Sequence, residues 1–271
     1  MESPALTEQE LLDLAVPTIA GLLGLAIGSF LNVVAHRVPA GESVVHPPSA
    51  CPACGHAIRG RHNVPVLGWL VLRGRCFDCR APISPRYPLV ELGTGIAFSL
   101  VAVRLGTDEA GLRVLPAYLA FTGIGIALAL IDLDVKRLPD KIVLPSYPVL
   151  AGLLLIGWDG EALWRALLGA AILGAFYFVV WFIAPGGMGF GDVKLAGIVG
   201  GMTAYLSWGT FLVGAFGAFL LGAAAGLMLM AGGRAGRKTA VPFGPFMLLA
   251  ALSSILGAGY LGDAYLELIG L

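Results

Sequence analysis

Eight apolar runs, near residues 16–35, 89–105, 115–132, 142–158, 164–184, 193–206, 208–231 and 243–261, decide most of what this chain can become. A helix needs about 20 mostly apolar residues to cross the hydrocarbon of a bilayer. Seven of the runs come close to that or exceed it; the sixth is the shortest. In lipid, every backbone N–H and C=O must find its partner inside the protein, so such runs become helices. Only 13% of the residues are charged, against about 25% in soluble domains, and mean hydropathy is +0.86. The 39 glycines sit largely inside the apolar runs, where small residues let helices approach closely. The expected fold is therefore an all-α polytopic membrane protein with about eight transmembrane helices.

Net charge is zero, which suggests no nucleic-acid partner, but the charges are unevenly placed. Arg37, Arg59, Arg61, Arg73, Arg75, Arg80 and Arg86 fall between the first and second runs. Lys136, Arg137 and Lys141 follow the third, Lys194 opens the sixth, and Arg234, Arg237 and Lys238 follow the seventh. These alternate connections hold fourteen of the seventeen bases, leaving Arg104, Arg113 and Arg165 for the other side. Because cytoplasmic loops are enriched in Lys and Arg, the fourteen mark the cytoplasmic face, and both termini are expected outside. Residues 1–15 carry four acids and no base, unlike the basic start of a cleaved signal peptide. The first run is thus expected to stay as an anchor. The division is 1–35 for the tail and first helix, 36–88 for a cytoplasmic loop, and 89–271 for the remaining helices. Gly24/Gly28 and Gly222/Gly226 have GxxxG spacing, read as packing within one bundle.

All four cysteines lie in the 36–88 loop, as Cys51-Pro-Ala-Cys54 and Cys76-Phe-Asp-Cys79 with 21 residues between the pairs. Two CxxC turns can present four thiolates to one tetrahedral zinc ion, a zinc-ribbon-like pattern. A reducing cytoplasm disfavours paired disulfides; redox-active or metal-free thiols are the alternatives. The same loop holds every histidine, His36, His46, His56 and His62. Four sulfurs already satisfy the ion, so these read as ordinary polar residues, and a closed site of this kind organises a loop instead of doing chemistry.

Asp132, Asp134 and Asp140 cluster at the end of the third run, and Asp192 stands in Gly187-Met-Gly-Phe-Gly-Asp192-Val-Lys194 at the start of the sixth. Two intervening spans return the chain to the same side, so Asp132 and Asp192 can meet. Adjacent carboxyls cannot easily both ionise, which suits peptide hydrolysis: one keeps a proton for the carbonyl while the other takes one from water. Gly189 and Gly191 let the backbone approach closely beside the acid, and Lys194 offers a nearby cation. The plainer reading makes Asp134 and Asp140 loop acids neutralised by Lys136, Arg137 and Lys141, and Asp192 a helix cap.

With these motifs in order the chain resembles the type IV prepilin peptidases, bifunctional leader peptidases and N-methyltransferases of pilus assembly and type II secretion. The resemblance runs through Gly28-Ser-Phe-Leu-Asn-Val-Val34, Cys51-Pro-Ala-Cys-Gly55, Asn63-Val-Pro-Val-Leu-Gly-Trp69, Leu72-Arg-Gly-Arg-Cys76 and Ile83-Ser-Pro-Arg-Tyr-Pro-Leu-Val-Glu-Leu92, then Ile131-Asp-Leu-Asp134, Leu138-Pro-Asp140, Gly189-Phe-Gly-Asp192 and Pro242-Phe-Gly-Pro245. It implies an aspartyl protease of the GxGD type in the bacterial inner membrane. Such an enzyme cuts the basic leader of prepilins or pseudopilins at the cytoplasmic face, with Asp132 and Asp192 as the catalytic pair and Asp134, two residues from Asp132, as the rival for the first role. It also implies methylation of the new N-terminus with S-adenosylmethionine, associated with the 36–88 loop. Two positions depart from the family: His62 stands where an acid is usual, and Gly68 where serine is frequent. An ion-coupled transporter, or a non-enzymatic assembly factor docking through the zinc loop, are the competing readings. A transporter predicts acids near mid-span, whereas these sit at span ends.

Overall fold

The computed structural model describes residues 7–183, 188–232 and 242–270. Arg234, Arg237, Lys238 and Gly187, used above, lie outside these. Ten α-helices form among the described residues: α1 (Glu8–Ala40), α2 (Leu67–Val71), α3 (Arg86–Leu105), α4 (Glu109–Val135), α5 (Asp140–Gly157), α6 (Gly160–Ile183), α7 (Phe190–Leu206), α8 (Trp208–Ala231), α9 (Gly244–Ser253) and α10 (Gly259–Leu268). Among the described residues there is no β-strand, only two isolated antiparallel bridges in the 36–88 loop. Seven helices among the described residues are long and apolar enough to cross a membrane: α1, α3, α4, α5, α6, α8 and the continuous stretch Gly244–Leu268. The chain divides within α4 into two compact units, Met1–Leu115 and Pro116–Leu271.

In the first unit, α1 begins at a reciprocal cap. Thr7 Oγ1 accepts from Glu10 N–H at 3.3 Å, and the Glu10 carboxylate accepts from Thr7 N–H at 2.8 Å, satisfying two helix-end donors. The helix stops at Gly41, whose φ of 74° closes the last turn onto Arg37 and Val38, a conformation that favours glycine. At 33 residues α1 is about 50 Å long, longer than the bilayer core. It packs along α3 through its small residues. A Cβ on Gly24 would stand 2.7 Å from Thr94 O and 2.9 Å from Phe98 Cβ, and one on Gly28 2.7 Å from Glu91 Cα. The Gly24/Gly28 pair therefore joins two helices of one chain, as expected. The Gly222/Gly226 pair is used differently: Gly222 meets Phe243, while Gly226 faces open space.

In the second unit, α7 is wrapped by protein on almost every side, with twelve of its 17 residues buried. It corresponds to the short sixth run. Glycines bring α6 against it: a Cβ on Gly200 would press into the Gly169 carbonyl, and one on Gly174 would stand 3.8 Å from Gly197 Cα. By contrast α8 exposes Phe216, Leu220, Leu227 and Met228, an apolar face too large for water to tolerate and suited to lipid. The eighth run becomes α9 and α10, joined through a π-helical segment, Ser254–Ala258. Gly257, at φ 151°, makes the bend, a conformation essentially confined to glycine.

Gly24→Val overpacks the α1–α3 seam and should lower the thermal unfolding midpoint of the detergent-solubilised protein, by about 1–3 kcal/mol of stability. Gly226→Val, in open space, should leave it unchanged. Equal losses at both positions would remove the packing argument.

Candidate active site and metal centre

The 36–88 loop builds two turns of the same design. Cys51 N–H donates to His56 O and Gly55 N–H to Cys51 O; in the second turn Cys76 N–H donates to Ala81 O and Arg80 N–H to Cys76 O. The residue after each second cysteine, Gly55 or Arg80, has positive φ, at 73° and 61°. Each turn is closed by a bridge, Ala50 with Ala57 and Arg75 with Pro82. An Arg59–Asp78 ion pair at 2.9 Å ties the two together, with the Arg59 guanidinium 4.3 Å above the Phe77 ring centre.

The four Sγ atoms lie within 4.8 Å of one another, with Cys51 and Cys79 3.8 Å apart. Zn–S bonds of about 2.3 Å put tetrahedral sulfurs about 3.8 Å apart, so the set is close to the spacing that a single zinc ion requires. Hydrogen bonds from the Cys54 and Ala53 backbone, with the neighbouring thiols, bring Cys51 down to about 7. Cys54 is drawn down by the His56 backbone but pushed up to about 12 by burial and the other three sulfurs. One negative charge is thus favoured and further ones resisted, a repulsion that a divalent cation relieves. Among the described residues no histidine joins this cluster.

Glu91, buried on α3, accepts Val66 N–H at 2.7 Å, and Trp69 Nε1 donates to Ile83 O at 3.1 Å. These contacts hold α2 and its flanks on the start of α3. The two family departures meet here. A Cβ on Gly68 would press into the His62 carbonyl, with His62 C at 2.8 Å, so Gly68 goes with the backbone path at His62.

In the second unit, Asp132 is buried three residues before the end of α4, while Asp134 is exposed; two residues apart on a helix, their side chains point in different directions. Asp132 Oδ2 accepts the N–H of Gly244 at 3.2 Å, the first residue of α9. Asp192 is buried in the first turn of α7 and accepts the N–H of Gly189 at 3.3 Å. Gly189, having no side chain, serves as the cap residue while Asp192 reaches back to it. Both carboxylates therefore sit at positive helix N-termini. For Asp132 the sequence showed only the C-terminal end of its own helix, since Gly244 is 112 residues away.

The two acids are near enough for Asp132 to act electrostatically on Asp192. Leu138 lies between their supports. A Cβ on Gly191 would be 2.9 Å from Leu138 Cβ, and one on Gly244 2.8 Å from Asp132 Oδ2 and 3.5 Å from Leu138 Cδ2. Asp140 is paired with Lys194 Nζ at 2.7 Å, which corrects its assignment to Lys136, Arg137 and Lys141: the fold brings α7 to the start of α5. Tyr147 donates to Lys194 O at 2.6 Å, and Lys194 Nζ stands 5.1 Å from the Phe190 ring centre.

Sequence reasoning missed Tyr177, on α6. Its side chain has no exposed surface, and its hydroxyl has no hydrogen-bond partner among the described residues, although Asp192 acts on it electrostatically. Its ring lies 5.6 Å from Phe219 and 6.0 Å from Phe243. An apolar-looking Phe-Tyr-Phe stretch, residues 176–178, gave no signal.

Elemental analysis of purified protein should give about one zinc per chain, and Cys76→Ser, removing the buried sulfur, should lower it well below that. Metal-free protein that is folded and active would overturn the assignment.

Residues 22–105 match the bacterial peptidase A24 N-terminal domain and residues 119–264 the type IV leader peptidase family. Proteins named prepilin leader peptidase/N-methyltransferase are similar over most of the chain. That of Stutzerimonas stutzeri is 34% identical, the alignment covering 94% of this chain and 95% of the relative. That of Aeromonas hydrophila is 37% identical over 87% and 88%, and that of Myxococcus xanthus 41% identical over 80% and 64%. No solved structure matches the chain significantly. With both halves matched and relatives above 30% identity along nearly its whole length, this chain belongs to the type IV leader peptidase family.

Proposed function

We propose that Asp132 and Asp192 are the catalytic pair with which this multi-pass inner-membrane protein, a prepilin peptidase and N-methyltransferase by its family, cleaves the basic leader of prepilins or pseudopilins. The observation that carries the assignment is the burial of these two acids, each on a backbone N–H at a helix start, with Asp134 left outside. One carboxyl holds the shared proton and hydrogen-bonds the scissile carbonyl oxygen; its ionised partner takes a proton from water as the water oxygen adds to the carbonyl carbon. The tetrahedral adduct collapses as a proton reaches the amide nitrogen and the C–N bond breaks, leaving a carboxylic acid and a new amine. The pair titrates as a unit.

Gly191 and Gly189 support the site by giving Leu138 and Asp192 room. Lys194 supports it by joining the start of α7 to Asp140. The cytoplasmic face is assigned to the active site from the Lys and Arg distribution, which puts both termini outside. Residues 36–88 are assigned as the zinc-binding loop, associated with methylation, and 89–271 as the peptidase domain. S-adenosylmethionine supplies an electrophilic methyl group for the amine that cleavage exposes. Acids at helix ends, coupled to each other and not spaced across the bilayer, leave the ion-transporter reading unsupported; the enzyme family leaves the assembly-factor reading so.

Asp132→Asn and Asp192→Asn should each lower cleavage of a prepilin in membranes by at least about a thousandfold, as expected for groups acting together, while methylation of a pre-cut substrate persists. Full cleavage by either variant would sink the pair. Lys194→Met should slow cleavage about tenfold while costing less than about 1 kcal/mol of stability, since an ion pair that is half exposed contributes little; comparing rate with thermal midpoint checks both.

A further inference from the structure

We propose that the Tyr177 hydroxyl is a third catalytic group, donating a hydrogen bond to the oxygen atom that the Asp132/Asp192 pair adds to the peptide carbonyl. The inference rests on that pair being the catalytic one. Three observations converge on it. Tyr177 is wholly buried, yet its hydroxyl bonds to none of the described residues. Other tyrosines of the same unit use theirs: Tyr118, equally buried, donates to Met202 O at 2.8 Å, and Tyr147 to Lys194 O at 2.6 Å. A buried polar group is normally satisfied, so an exception points to a role.

The second observation is position. On α6, Gly174 touches Gly197 of α7, and Tyr177 lies one turn further toward the start of α7, level with the Asp192 turn. Asp192 acts on the phenol electrostatically without accepting its hydrogen. The third is the company it keeps. Its ring is 6.0 Å from that of Phe243, the residue before Gly244, whose N–H holds Asp132. The Phe219 ring stacks on the phenol at 5.6 Å and is itself 5.4 Å from Phe243, so the three rings form one cluster that holds the phenol's plane. The ring that carries this unpartnered hydroxyl is thus held, by apolar contacts, next to the residue that precedes the Asp132 support and within electrostatic reach of Asp192.

The chemistry suits the placement. A phenol, with an ordinary pKa about six units above a carboxyl, keeps its proton beside Asp192 and acts as a donor. No proton is transferred from it. The water oxygen gives one hydrogen to the ionised carboxyl, binds the carbonyl carbon, and accepts the phenol hydrogen bond while charge redistributes in the transition state.

Tyr177→Phe keeps the ring and removes only the hydroxyl. Expected are a fall in kcat for prepilin cleavage of between about tenfold and a thousandfold, the range for removing one transition-state donor, KM within about twofold, and a thermal midpoint unchanged or raised. Methylation of a pre-cut substrate, followed in the same preparation, should be unchanged. Wild-type kcat, or a loss of activity that tracks a lowered thermal midpoint, overturns the proposal. Asp192→Asn run in parallel separates the two readings: if it still cleaves, the catalytic pair itself is wrong, whereas an inactive Asp192→Asn beside a fully active Tyr177→Phe removes only the role of Tyr177.

Discussion

A carboxyl group in a bundle that faces lipid has no water to fall back on, so each one must be met by a donor built into the fold. Burying an unsatisfied polar group costs about 1–3 kcal/mol, more when charged. Here the donors are the backbone N–H groups of Gly244 and Gly189, free because they begin helices. Much of the second unit follows from supplying them. The α9 helix must start beside the end of α4, α7 must start beside both, and the glycine contacts of α6 hold α7 in that place. The acids are thereby located by main chain, which moves less than side chains do.

The parts legible in the sequence are those whose signals are local. Apolar runs of membrane-spanning length give the helices, and the paired CxxC turns give the sulfur cluster. Asp132 and Asp192 stand out because charge is rare within such runs, and the Gly-Phe-Gly before Asp192 is a close-approach signal. What escaped depends on contacts between distant segments. Gly244 caps Asp132 from 112 residues away, and Asp140 finds Lys194 rather than the three bases beside it. Tyr177 sits in a stretch of aromatic and β-branched residues where a hydroxyl carries no periodic mark. The extent of α7 was also ambiguous, because a helix buried among other helices needs neither the length nor the apolar continuity of one that faces lipid.

The loop of the first unit solves the opposite problem. A segment of about 50 residues cannot bury enough apolar surface to hold itself, and its order comes from four sulfurs, an Arg59–Asp78 pair and two anchors, Glu91 on α3 and Ile83 just before it. The repetition of one turn design at Cys51 and Cys76 lets two short segments share a single cation. Gly55 adopts its positive φ freely, whereas Arg80 adopts the same conformation against its own side chain, so the second turn depends more on being closed by its neighbours.

Leu138 gives the second unit a property of another kind. It touches the backbone beneath both acids, at Gly191 and near Gly244, and carries no polar atom. The spacing of the two backbone supports, and with it that of the two carboxyls, is therefore shaped in part by the volume of a hydrocarbon. A lineage of such enzymes can tune how strongly its two carboxyls share a proton by exchanging one aliphatic side chain for another, while every group that takes part in the reaction stays the same.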